Sequence, residues 1–129
     1  MIVLDTHIWF WWINNDHQSL GAVRQEQIAS AKTIAVSAIS CFEIAWLERH
    51  QRICLPCKTT EWFEKALSHS NIELLPITPA IATRAVNMHE YHSDPQDRII
   101  IASTIEHNAK LMSDDSKFPL YLELDGRLL

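Results

Sequence analysis

Four acidic side chains stand where the sequence predicts the ends of strands or the first turns of helices. They are Asp5, Glu43, Asp97 and Asp115. A carboxylate beside apolar core residues is costly unless a positive charge compensates it. Four carboxylates brought to one place would therefore require a metal ion, and such oxygen ligands suit Mg²⁺ or Mn²⁺. Whether they meet depends on the elements that position them.

Two of the four follow short apolar runs that are typical of buried strands. Asp5 comes directly after residues 1–4, and Asp115 closes a Ser-Asp-Asp cluster after residues 109–112. In open α/β sheets, ligands bind outside the carboxyl ends of the strands. One residue of the pair Asp114 and Asp115 could instead cap the following turn. Which of the two would face a metal is left open.

Glu43 and Asp97 fall in predicted helices, on the faces that carry apolar residues. Leu47 follows Glu43 by one turn, and two isoleucines follow Asp97 in the same way. Structural alternatives exist for both carboxylates. Ser40 and Glu43 fit the spacing of a capping box, and Asp97 suits the first turn of a helix that Asp94 caps. We interpret Asp94 as a cap rather than a ligand.

Strand-like runs alternate with amphipathic helices along the chain, a pattern typical of an α/β protein with a parallel sheet. The predicted strands cover residues 1–4, 33–36, 72–77, 109–112 and 121–122. The predicted helices cover residues 20–31, 38–50, 60–68, 78–89 and 94–108. These elements predict a single domain over residues 1–129. In a right-handed parallel sheet, the four acidic positions open on the same edge.

Composition argues against several functional classes. The 2 glycines are too few for a Walker or dinucleotide phosphate loop. The 7 histidines include no H-E-x-x-H pair, a surface role is expected for His89 and His92, and G-x-S-x-G is absent. The 3 cysteines do not suggest a disulfide framework, and we interpret the C-x-x-C at Cys54 and Cys57 as coincidence. No apolar stretch is long enough to span a bilayer, so we expect a cytoplasmic protein without a membrane partner.

The net charge of −5 is unexpected for a protein that binds nucleic acid. Four of the negative charges belong to the acidic set, however, so the argument against a nucleic-acid substrate is weak. Arg98 or Lys117 could contact an RNA backbone, although a solvated surface position is the simpler interpretation of each.

The aromatic run at residues 9–12 is too dense for one helix face. We therefore expect some of its rings to be exposed. An interface role and a division between core and neighbouring loops remain equal alternatives.

With these residues in place, the chain resembles the PIN-domain ribonucleases, and among them the VapC-type toxins of bacterial toxin–antitoxin pairs. Four segments carry the resemblance: residues 2–7, 36–45, 94–102 and 111–115. The resemblance implies a PIN-like three-layer α/β/α sandwich with a mostly parallel sheet of about five strands. It places the acidic residues of the family on the four positions above, and its accompanying hydroxyl on Ser113. Thr6, Ser113 and Asp114 are expected around the ligands, although the family more often has a neutral or basic residue at Asp114.

The resemblance further implies a metal-dependent endoribonuclease that hydrolyses RNA phosphodiester bonds with Mg²⁺ or Mn²⁺. It would be the toxin of a type II toxin–antitoxin system, a homodimer blocked by a cognate antitoxin. A housekeeping RNA-processing PIN nuclease and a catalytically silent protein-binding scaffold remain alternatives. A phosphorelay receiver is less suitable, because residues 5–6 lack its acidic pair and residues 75–77 lack its phosphoacceptor aspartate.

Overall fold

A parallel sheet with the strand order β3-β2-β1-β4 forms the centre of the molecule. The structure is a computed structural model that describes residues 1–69, 71–88 and 94–129. Its strands are β1 Ile2–Leu4, β2 Ile34–Ser37, β3 Ile72–Leu75 and β4 Lys110–Met112. In the register, Leu4 at the end of β1 lies opposite Val36 and Met112. Residues that follow β1, β2 and β4 therefore emerge together at one edge, as the sequence predicts.

Helices cover both faces of this sheet. They are α1 Thr6–Ile13, α2 His17–Leu20, α3 Ala22–Ser30, α4 Ala38–Arg49, α5 Thr59–Ala66, α6 Pro79–Asn87 and α7 Pro95–Glu106. Successive strand residues point to opposite faces. Val3 and Ala35 accordingly pack against α6 and α7, while Leu4 and Val36 pack in a second core with α1, α4 and α5. The fold is the expected three-layer α/β/α arrangement.

Within the described residues the sheet has four strands rather than about five. The predicted strand at residues 121–122 is replaced by two 3₁₀ turns, Phe118–Leu120 and Leu122–Leu124. The physical reason is the spacing of the buried side chains. Phe118, Tyr121 and Leu124 are all buried and stand three residues apart, which matches a three-residue turn and not the two-residue period of a strand.

The outer edge of β4 is met by the C-terminal residues instead. Leu111 and Leu128 form an isolated parallel bridge. The backbone N–H of Leu111 donates to the Arg127 carbonyl, and the N–H of Leu129 donates to the Leu111 carbonyl, each at 2.8 Å. The C-terminal residues thus add a single β-bridge to the edge of β4 and not a fifth strand.

Several predicted element boundaries were wrong, for reasons that involve glycine and proline. The predicted helix over residues 20–31 is divided at Gly21, whose φ of +87° is outside the helical range. Asp16 caps the part before Gly21, α2, since its carboxylate accepts a hydrogen bond from the Ser19 N–H at 3.2 Å. β3 ends at Leu75 because Pro76 has no N–H to donate to the sheet.

Other boundaries shifted by a few residues. The helix predicted over 60–68 is α5, which begins at Thr59 and ends at Ala66. α7 ends at Glu106, two residues before the predicted end. The predicted end of the helix over 78–89, and the break that follows it, lie outside the described residues.

The aromatic run forms half of α1, and none of its rings is fully exposed. Trp9 is completely buried, and the other three rings are half-buried. α5 provides the cover: the Trp62 ring meets Trp9 edge-on at 5.1 Å between centroids, and Phe63 stacks on it at 6.2 Å. The expectation of exposed rings was therefore wrong, because α5 lies across them.

Arg98 is buried and contacts α6, so both interpretations of this residue were wrong. Its Nε donates to the Ala85 carbonyl at 2.8 Å, and its Nη2 donates to the carbonyls of Val86 and Met88 at 3.0 and 2.7 Å. The last carbonyls of a helix have no partner within the helix and carry partial negative charge. A guanidinium from α7 satisfies them and joins the two helices.

None of the helices in residues 1–69, 71–88 and 94–129 has the length and apolar character needed to cross a membrane.

Replacement of Arg98 by methionine should destabilise the protein by about 3 kcal/mol, because buried carbonyls lose charge-assisted hydrogen bonds. The matched control is Arg84→Met, which removes an exposed ion pair with Glu106 (2.6 Å) and should cost less than about 1 kcal/mol. Urea unfolding measures both changes. Equal losses in the two variants would contradict the capping role of Arg98.

Candidate active site

A cavity of about 420 Å³ opens at the carboxyl edge of the sheet, and all four predicted acidic residues line it. The structure therefore brings together side chains that are distant in the sequence. The lining residues are Asp5, Thr6, His7, Trp11, Glu43, Asp94, Asp97, Ile100, Asp114, Asp115 and Lys117.

Asp5 lies deepest, at 7% exposure, between β1 and α1. One carboxylate oxygen accepts the Ile8 N–H at 3.1 Å and thereby caps α1, and the other accepts a hydrogen bond from the Ser113 hydroxyl. Burial raises the pKa of Asp5, while the hydrogen bonds from Ser113 and Ile8 and the nearby His7 act in the opposite direction. These contacts fix the orientation of the carboxylate.

Glu43 projects from α4 and Asp97 from the first turn of α7. The pKa of Glu43 is raised to about 7, first by burial and then by the charges of Asp94, Asp5 and Asp115. The pKa of Asp97 is also raised to about 7, by burial and by the same acidic neighbours together with Glu43. The negative charges in the cavity thus oppose one another's ionisation.

Thr6 lies beneath this pair of helices and is buried. Its hydroxyl donates to Ser40 Oγ at 3.0 Å, and its hydrogen bond with Glu43 partly offsets the rise in the pKa of that carboxyl. Thr6 therefore links α1 to α4 at the position where Glu43 enters the cavity.

The two neighbouring aspartates after β4 have different surroundings. Asp115 accepts the Lys117 N–H at 2.9 Å and so caps the following turn, and its charge raises the pKa values of Asp5, Glu43 and Asp97. Asp114 is exposed and pairs with Arg24 of α3 at 2.7 Å. Asp115 is therefore the member of the pair that belongs electrostatically to the acidic set.

The structural alternatives for Glu43 and Asp97 have different outcomes. α4 begins after Ser37, whose hydroxyl accepts the Ile39 N–H at 3.2 Å, so the capping box at Ser40 was wrong. For Asp97 the structural interpretation is confirmed, since Asp94 caps α7 through the Gln96 N–H at 2.9 Å. Asp97 also lines the cavity, and its role as a ligand stays a prediction.

Comparison with known proteins agrees with this architecture. The family described as PIN domain matches residues 2–121. The chain belongs to the PIN domain family. It is 35% identical over 117 residues to Ribonuclease VapC22 of Mycobacterium tuberculosis, which covers 90% of this chain and 88% of that protein.

Solved PIN-type structures share the fold along the full chain. The VapBC2 complex from Rickettsia felis, bound to a promoter DNA fragment, matches with a TM-score of 0.71 and 22% identity over 100% of this chain and 98% of that one. VapC20 of Mycobacterium tuberculosis, described as a Sarcin-Ricin loop cleaving toxin, matches with a TM-score of 0.67 and 16% identity over 95% and 98%. At these identities the two structures establish the PIN fold of this chain.

Sequence reasoning missed part of the wall of the PIN cavity. His7 was set aside with the other histidines as an unlikely metal ligand, and Trp11 was assigned to a possible interface, yet both line the cavity. The position of His7, two residues after Asp5 at a predicted strand end, was the available signal. Lys117, for which a contact with the RNA backbone and a solvated surface position were the alternatives, is exposed and lines the cavity opening.

The chemistry of the PIN cavity suits a hard divalent cation, although its side chains do not form a ready ligand cluster. In the described part of the chain, no three His, Cys, Asp or Glu side chains lie close enough together to hold an ion. The donors are nevertheless carboxylate oxygens, which Mg²⁺ and Mn²⁺ prefer. Their mutually raised pKa values show an excess of negative charge that a dication would relieve.

The metal-free protein should lose stability as the pH rises from about 4.5 to about 7.5. Glu43 and Asp97 have ordinary pKa values of 4.5 and 3.8 and folded values of about 7. Between these limits the folded state binds more protons than the unfolded state, so the free energy of unfolding falls with rising pH. We expect a loss on the order of 2 kcal/mol, since solvent screening reduces the nominal value of about 1.4 kcal/mol per pKa unit.

Denaturant unfolding in chelator across this pH range measures the effect. Asp97→Asn should flatten the curve and raise stability at pH 7.5, whereas Asp125→Asn, an exposed change outside the cavity, should leave it unchanged. A wild-type curve that rises over this range would contradict the raised pKa values.

Proposed function

We propose that this PIN domain is a metal-dependent endoribonuclease that hydrolyses RNA phosphodiester bonds. The observation that supports the proposal most strongly is the acidic cavity, in which four carboxylates from four separate elements meet. The similarity to Ribonuclease VapC22 supports RNA as the substrate. Carboxylates alone would repel a polyanion, so the substrate must be reached through a bound cation.

The proposed cofactor is Mg²⁺ or Mn²⁺, with Asp5, Asp97 and Asp115 as ligands and Glu43 as a further ligand or an orienting group. When bound, the cation supplies a water of lowered pKa and positive charge for the leaving oxygen. The catalytic residues we assign are these four carboxylates.

The surrounding polar residues hold the carboxylates in place. Ser113 donates to Asp5 and accepts the Asp115 N–H at 3.0 Å, so a single hydroxyl connects two proposed ligands. Thr6 forms a hydrogen bond with Glu43. Asp114 forms an ion pair with Arg24 at the rim of the cavity. In the metal-free cavity the pKa values of Glu43 and Asp97 are about 7, so these carboxyl groups would have to lose their protons before they could hold a cation.

We further propose that the chain is the toxin of a type II toxin–antitoxin pair, acting as a cytoplasmic homodimer that a cognate antitoxin inhibits. Support comes from the VapC name of its relative and from fold relatives that include toxin–antitoxin complexes. Co-purification with the product of a neighbouring small reading frame tests the partner. Light scattering tests the dimer. Absence of such a frame would favour a housekeeping nuclease instead.

Purified protein should cleave total cellular RNA with Mn²⁺ or Mg²⁺ at defined sites, and Asp5→Asn should reduce the rate by at least about a hundredfold. The substitution keeps the shape of the side chain and removes its charge. Sequencing of the cut ends measures cleavage, and calorimetry measures Mn²⁺ binding. Asp125→Asn, which lies outside the cavity, serves as the control.

An Asp5→Asn protein with wild-type activity would remove Asp5 from the mechanism. A wild-type protein that cuts no RNA under any metal condition would favour the silent scaffold.

The two aspartates after β4 should differ in their effect on cleavage. Asp115→Asn should reduce the rate about a hundredfold or more, because it removes a proposed ligand. Asp114→Asn should reduce it less than tenfold (about 1.4 kcal/mol), because its partner is the exposed Arg24. Rate measurements on one mapped RNA site compare them, and the reverse order would exchange the two assignments.

A further inference from the structure

A second cavity, of about 290 Å³, lies along α1 beyond the acidic cavity. We name it the aromatic cavity. Its walls combine indole and imidazole rings with side-chain amides, among them Trp11, Trp12, Asn15, Gln25 and His69. Its base includes Ile34, the first residue of β2. It therefore lies toward the opposite edge of the sheet from the acidic residues.

The two cavities share one wall, the side chain of Trp11. On the acidic side, the His7 ring packs against this indole with 6.1 Å between centroids. Thr6 begins α1 at the acidic cavity, and Trp12 stands six residues further along, a rise of about 9 Å at roughly 1.5 Å per residue. A few nucleotides of single-stranded RNA cover such a span.

The lining of the aromatic cavity suits a nucleobase. Trp11 and Trp12 are half-buried and pack against the second core, but both also line the aromatic cavity, while Trp9 of the same helix is fully buried. The Trp12 ring lies 5.0 Å from the His69 ring, at an angle of 37°. Flat rings stack on the faces of bases, and amide groups bond their edges. Asn15 offers its side-chain amide, and Gln25, whose Nε2 is bonded to His17 Nδ1, offers its carbonyl oxygen.

Charge gives a second reason to expect stacking. The chain has a net charge of −5, and Arg24, the basic residue of α3 beside the acidic cavity, is already paired with Asp114. Attraction of phosphates by basic side chains, the usual source of affinity for nucleic acids, is therefore limited near the site, where Lys117 is the basic residue that lines the cavity opening. Stacking on aromatic rings is an affinity that does not require positive charge.

We infer that the aromatic cavity binds one base of the RNA substrate, a few nucleotides from the scissile phosphate, with Trp12 as its stacking platform. The inference rests on the proposed ribonuclease function and adds a specificity-determining subsite to it. Trp11 separates this subsite from the cleavage centre, so the base and the scissile phosphate lie on either side of one indole.

The test uses a short RNA with a mapped cleavage site, and a series in which one base at a time is removed to leave an abasic position. kcat/KM is measured for wild type, Trp12→Leu, Trp12→Phe and Trp46→Leu. Trp46 is the matched control, since it is an exposed tryptophan on α4 that lines neither cavity. Circular dichroism and thermal melting establish that each variant is folded.

Wild type should lose about tenfold or more in kcat/KM when one particular base is removed. Trp12→Leu should show a similar loss on intact RNA and no further loss at that abasic position. Trp12→Phe should retain most of the sensitivity, and Trp46→Leu should behave as wild type. If Trp12→Leu fails to fold, Gln25→Ala decides, with a reduced abasic effect expected.

Three outcomes overturn the inference while the ribonuclease function stands. One is an abasic series that is flat in wild type, and another is Trp12→Leu with undiminished abasic sensitivity. The third is Trp12→Leu with normal cleavage but impaired binding of a co-purifying protein, which would assign the cavity to a protein partner. Failure of wild type to cut any RNA would instead refute the proposed function itself.

Discussion

Repulsion among carboxylates at the carboxyl edge of the sheet is the constraint on which the site depends. Burial raises the pKa values of Asp5, Glu43 and Asp97, and the charges of neighbouring carboxylates raise them further. Such an arrangement opposes folding at neutral pH when no cation is present. It persists because two apolar cores, one on each face of the sheet, fix the strands and helices that carry the acidic residues.

Several acidic residues have a structural role as well as a place in the cavity. Asp5 caps α1, Asp94 caps α7 and Asp115 caps the turn after β4. A carboxylate at a helix N-terminus accepts backbone N–H groups and lies near the positive end of the helix dipole. These hydrogen bonds offset part of the repulsion between the carboxylates. The backbone turns that position the carboxylates therefore also lower the energetic cost of bringing them together.

The sequence predicted the centre of the molecule better than its periphery. Alternation of apolar runs with amphipathic helices was sufficient for the parallel sheet, because β1, β2 and β4 are buried runs with polar residues at their carboxyl ends. Glu43 was found because a carboxylate on an apolar stripe is unusual. The two 3₁₀ turns at residues 118–124 were not predicted, since a short apolar run has no clear period until its packing is known.

Tertiary contacts account for the remaining errors. Nothing near Arg98 in the sequence indicates that it will reach the carbonyls at the end of α6, which lie 10 to 13 residues away. The burial of Trp9 depends on Trp62 and Phe63, which come from a helix just over fifty residues further on. Trp11 as a wall between two cavities likewise follows only from the folded arrangement.

Calorimetric titration of Mn²⁺ into the metal-free protein, in two buffers of different ionisation enthalpy at pH 6.5, tests the central claim most directly. Carboxyl groups with pKa values of about 7 are largely protonated at this pH, and ligands must be deprotonated to hold a cation. The account predicts saturable binding with release of about one proton or more per chain, and a smaller release for Asp97→Asn. Binding without proton release, or no binding at all, would contradict it.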